Sequence, residues 1–188
     1  MQKNAIIFGL TMLLVGGLAL IYFQIYGASE DNLFLALRLT AWAALLVYLL
    51  VFVARPLNQL TKSPFSKALL RHRRSIGIAL AAVMTVHLVL LLIANAAPFN
   101  IPGAVVYLLM YLMVMTSFDS APAKIGPRNW RWLHKAGLYA LGIGLFSAVG
   151  REFLQTPLDP VYLVLTVLIV AAIGIRVTAF WKMRQNQG

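Results

Sequence analysis

Among the side chains of this chain that could do chemistry, three histidines stand apart: His72, His87 and His134. His87 lies inside the apolar run TVHLVLLLIA, and His134 near the start of another, WLHKAGLYALGIGLF. An ionisable group at membrane depth is costly to hold there and is read as functional by default. A neutral imidazole can carry a proton or give a nitrogen lone pair to a metal. The chain has no cysteine, and no carboxylate lies in either run. Two imidazoles on two apolar segments, without other metal-type ligands, point to haem iron. Such a haem would be b-type and non-covalent, because thioether attachment needs cysteine.

The elements that must position these residues are set by composition. The chain of 188 residues is 61% hydrophobic and 11% charged, with a mean hydropathy of +0.83. That balance belongs to a membrane protein and leaves room for about six spans of roughly 20 residues. Breaks between apolar runs place them at about 5–26, 33–54, 75–95, 101–118, 130–150 and 161–181. Backbone groups in hydrocarbon must pair within their own segment, so every span is a helix. The expected architecture is all-α, a six-helix transmembrane bundle forming one domain over 1–188. The apolar part of the first run exceeds that of a signal peptide, so it is expected to remain as a helix. Absence of cysteine excludes disulfides, iron–sulfur clusters and thiolate-ligated haem.

The net charge of +11 follows from orientation and requires no nucleic-acid partner. Fourteen basic residues fall on one side of the six expected spans, and only Arg38 and Arg151 fall on the other. The positive-inside rule then places both termini in the cytoplasm. On this scheme His87 lies roughly 18 Å along the third helix and His134 roughly 6 Å along the parallel fifth, about 12 Å apart in height. His72 falls just before the third helix, at the cytoplasmic edge. One iron does not easily take both deep histidines, so they read as an inner and an outer site.

The stretches RHRRSIGIALAAVMTVH and KIGPRNWRWLHKAGLY, with LRLTAWAALLVYLLVFVARPLNQL before them, resemble the ferric reductase-like transmembrane domain family. The likeness covers roughly residues 37–139. It is nearest in character to the small bacterial six-helix members, which include the haem-binding membrane subunit of the periplasmic methionine sulfoxide reductase system. The resemblance implies stacked b-type haems and electrons passing from a cytoplasmic donor, a separate reductase or quinol, to an acceptor outside the bacterial inner membrane. It matches His87 to a ligand in the third helix and His134 to the first ligand of the fifth. A further family histidine, about thirteen residues later, is replaced by Ser147. Its inner partner position falls near Arg73 or Arg74, leaving His72 as the nearby candidate. Fewer than two fully ligated haems are therefore expected.

Other readings of the same residues stand beside these. His87 and His134 can be neutral imidazoles bonded within the bundle, and His72 a solvated interfacial side chain. Arg38 can snorkel to headgroups or pair with a haem propionate, while Arg73, Arg74, Arg128 and Arg131 can bind inner propionates or lipid phosphate. Met110, Met113 and Met115 do not repeat on one face and read as packing residues. The glycines of VGG and GIG read as sites of close helix approach. The five carboxylates lie in loops, and no hydrolytic triad or glycine-rich nucleotide loop is present. No flavin or nicotinamide domain is expected in these residues. Three functions remain open: a haem-b electron-transfer subunit, a haem-free anchor or assembly partner, and a small proton- or quinone-handling protein.

Overall fold

The computed structural model describes residues 2–95, 101–118, 120–156 and 159–185. Seven helices occur there: α1 (Gln2–Tyr26), α2 (Glu30–Thr61), α3 (Pro64–Ile93), α4 (Ile101–Met115), α5 (Ala121–Ile125), α6 (Pro127–Gln155) and α7 (Pro160–Gln185). The short α5 lies in the connection expected to be loop. Of the other breaks expected from sequence, residues 96–100, 119 and 157–158 lie outside the described residues.

Local chemistry sets the ends. Gly27, at φ 79°, closes α1, and the Ser29 hydroxyl then caps α2 by accepting from the Asn32 N–H. Glu30 and Asp31 sit in the first turn of α2, where the helix dipole favours negative charge. At the other end, Lys62 takes the left-handed conformation and Ser63 caps α3, with Pro64 starting the new helix. The segment 55–74 was expected to be a basic cytoplasmic loop. It is instead a helical hairpin with a two-residue turn, because these cap residues stop one helix and start the next without slack. His72 consequently lies inside α3, and the expectation that it precedes the helix is corrected. At 1.5 Å per residue, α2 and α3 reach about 48 and 45 Å.

The six long helices alternate in direction, so the starts of α1, α3 and α6 lie with the ends of α2, α4 and α7. Leu45, Tyr48, Leu49 and Phe52 of α2 form the middle of the core with Leu80, Ala81 and Met84 of α3. Met110, Leu138, Leu141, Leu165 and Ile169 close it from α4, α6 and α7. Met110 is thus a packing residue, as its spacing suggested, whereas Met115 is exposed. α1 packs against α3 and leaves Leu10, Leu13, Leu14 and Leu18 exposed, an apolar face suited to lipid. Four helices (α1, α2, α3 and α7) are long and apolar enough to cross a membrane. α4 is apolar but has 15 residues. α6 has 29, with its apolar stretch diluted by glycines and by charges near both ends.

α6 can approach its neighbours closely because of two glycines. A Cβ at Gly137 would collide with the Met113 thioether, and one at Gly142 with the Tyr48 hydroxyl. Only Gly142 of the GIG pair does this; Gly144, Gly16 and Gly17 face open space. The VGG glycines therefore do not mark a helix contact within this chain.

Candidate functional site

His87 sits at one end of the bundle. Its Nδ1 lies 2.9 Å from the Thr40 hydroxyl on α2. Thr40 sends its own proton to the Ala36 and Leu37 carbonyls, at 2.9 and 3.0 Å. The Thr40 hydroxyl accepts from Nδ1–H or donates to Nδ1 according to the imidazole tautomer, and either way it orients the ring as a second residue orients a ligating histidine. The imidazole borders a cavity of about 360 Å³ shared with Arg38, Trp42, Arg151, Glu152 and Tyr162. That volume is at the small end of ligand cavities.

His134 sits at the opposite end, in the second turn of α6. Its ring packs on Trp130 one turn earlier, with centroids 4.3 Å apart. The Trp130 indole N–H donates to the Thr116 carbonyl at 3.0 Å, tying α6 to the end of α4. The Thr116 hydroxyl donates to the Leu112 carbonyl at 2.7 Å and lies 3.2 Å from His134 Nε2. The bond between the Thr116 hydroxyl and Nε2 likewise runs in the direction that the imidazole tautomer sets.

The cavity bordered by His134 is much larger, about 1460 Å³, and strongly basic. Arg55, Arg71, Arg73, Arg74, Arg131 and Arg176 line it, with Lys3 and Lys135, and no carboxylate does among the described residues. Sequence analysis singled out Arg73, Arg74 and Arg131, which the structure brings together here. Arg128 does not border the cavity, nor does His72, whose side chain is exposed. Arg38 lies instead with His87.

Between the cavities stands a packed wall. Tyr48 is fully buried and donates to the Leu138 carbonyl at 3.0 Å. Its ring stacks on Phe52 at 5.5 Å and meets Phe146 edge-on at 5.6 Å. His87 shares its cavity with Leu145, Ala148 and Val149 of α6, which are 11 to 15 residues beyond His134. The two imidazoles therefore differ in height by about 17–22 Å, more than the 12 Å expected, because α3 starts at Pro64 rather than residue 75. Ser147 bonds the Gly144 carbonyl and does not border the His87 cavity, whereas its neighbour Ala148 does.

Sequence analysis missed Thr40, Thr116, Trp130 and Arg176. The i, i+4 spacing of Trp130 and His134 was a readable signal of stacking. Arg176 carried a stronger one, as a lone charge within the last apolar run. Among the described residues no group of three His, Cys, Asp or Glu side chains forms a metal site. A haem iron needs only one or two axial nitrogens, so this leaves haem ligation open.

An apolar helical bundle with a histidine-bearing cavity at each end defines a membrane protein. A sequence model of the ferric reductase like transmembrane component matches residues 39–145, more than half of the chain, which belongs to that family. The match spans both deep histidines. No curated protein and no solved structure matches the chain.

Proposed function

We propose that this chain carries electrons across the bacterial inner membrane, with b-type haem as carrier, from a cytoplasmic donor to an acceptor outside. The observation that carries the reading is the placement of His134 and His87 in two cavities at opposite ends of one bundle, with the packed core around Tyr48, Phe52 and Phe146 between. With all six long helices spanning, the positive-inside rule puts the basic cavity and both termini on the cytoplasmic side. A bound haem supplies a one-electron iron couple. The inner cavity suits it in volume, and its arginines suit two propionates. His134 then offers Nε2 in its Nδ1–H tautomer once the contact with Thr116 is given up, and a neutral hydrogen bond is worth about 1 kcal/mol. His87 offers Nε2 directly, with Thr40 holding the ring, but its cavity is narrower, which favours fewer than two haems per chain. The donor is a separate reductase or quinol.

The hydrogen bond between His134 and Thr116 favours a second reading, a haem-free anchor in which both imidazoles are satisfied within the bundle. Reduced-minus-oxidised spectra of the detergent-purified protein, expressed with ample haem, separate the two. A Soret band that weakens in His134→Ala supports the electron carrier, with any outer species lost in His87→Ala. Absence of a Soret band in the unaltered protein sinks it.

A further inference from the structure

Pro56 lies inside α2 and has no N–H, so the Phe52 carbonyl four residues earlier loses its helical partner. Arg176 of α7 fills the gap: its Nη1 donates to that carbonyl at 3.0 Å. The guanidinium also lies 4.4 Å from the Phe52 ring and 5.0 Å from the Tyr139 ring, which fixes its plane. The preceding carbonyl, Val51, accepts from Arg73 Nε at 3.1 Å. Two guanidinium groups from α3 and α7 are thus pinned on consecutive carbonyls of α2.

Both arginines border the inner cavity, where no carboxylate lies among the described lining residues. Like charges held this close and partly out of water repel, and carbonyl dipoles offset the repulsion only in part. A guanidinium has five N–H donors, and the bond to Phe52 uses one. We infer that Arg176, anchored by the carbonyl that Pro56 frees and seated beside Arg73, binds a carboxylate of the inner ligand. The inference rests on that cavity taking haem, and it adds a binding residue on the last helix, beyond the segment matched to the family.

The test compares haem with haem dimethyl ester, which has the same ring and iron but no carboxylate. Each is titrated into the detergent-purified apoprotein and followed by Soret absorbance. The unaltered protein is expected to bind haem about tenfold or more tightly than the ester, the worth of a charge-assisted hydrogen bond. Arg176→Met is expected to reduce this preference severalfold, and Arg176→Lys to keep more of it. Pro56→Ala returns an N–H to the Phe52 carbonyl and is expected to reduce the preference with Arg176 in place, a readout that survives if Arg176→Met fails to fold. Equal weakening of both ligands in Arg176→Met, with the preference intact, would make Arg176 a clamp between helices and overturn the inference while the haem reading stands. Binding of neither ligand by the unaltered protein would overturn both.

Discussion

Gly142→Ala tests the wall between the cavities without any assumption about a cofactor. An added Cβ would strike the Tyr48 hydroxyl and come 2.9 Å from its Cζ and 3.5 Å from its Cε1. Tyr48 cannot swing clear, because it is fully buried and its ring is packed against Phe52 and Phe146. Either α6 moves off α2 or the tyrosine gives up its bond to Leu138. Overpacking of a tight core costs about 1–3 kcal/mol, and the lost hydrogen bond about 1 more. The expected destabilisation is therefore about 2–4 kcal/mol, measured by denaturant or thermal unfolding in detergent with helical circular dichroism. Tyr48→Phe alone should cost about 1 kcal/mol. The double variant should be less destabilised than the sum, since removing the hydroxyl relieves the closest contact while the ring stays tight. Coupling of about 0.5–3 kcal/mol is expected of contacting residues. Strict additivity, or a Gly142→Ala protein within about 0.5 kcal/mol of the unaltered one, would refute this account of the wall.

Thr116→Val removes the group that holds His134 Nε2, and haem binding at the inner cavity should tighten by up to about tenfold; weaker binding in a Soret titration would remove His134 as the ligand. Ala148→His should give a low-spin, two-histidine haem signature with His87 in electron paramagnetic resonance, whereas Ser147→His, facing outward, should not; the reverse result would mean α6 is rotated. A C-terminal reporter active only in the cytoplasm should give strong signal, and a strong signal from one active only outside would invert the orientation.

The helices were legible where the sequence punctuates them. Gly27 and Ser29 mark a boundary that hydropathy also marks, so the first helix stops and the second starts close to expectation. The α2–α3 hairpin was misread because basic residues at 55–74 look like a loop to a hydropathy scale. The caps at Lys62 and Ser63 allow those same residues to stay helical beyond the apolar run. His87 and His134 stood out because charge-capable groups are rare in such runs. Their hydroxyl partners did not, since threonine is unremarkable in a helix until a neighbouring helix places a ring nitrogen against it. Ser147 was located by counting along the chain, and one residue on a helix is 100° of rotation, enough to turn a lining position into a lipid-facing one. Arg176 was legible in principle, but it was counted with the cytoplasmic charges.

α4, with 15 residues, is about 22 Å long, while the hydrocarbon of a typical bilayer is about 30 Å thick. A helix that short meets its surroundings by hydrophobic mismatch, and lipid beside it thins or its flanking residues reach for the interface. The end of α4 carries Thr116, the partner of His134. A local dimple in the bilayer would bring headgroups and water closer to that histidine than a full-length helix would. On the proposed reading, the aqueous phase then comes nearest to the His134 cavity beside α4, while the separation of the two histidines stays as the fold sets it.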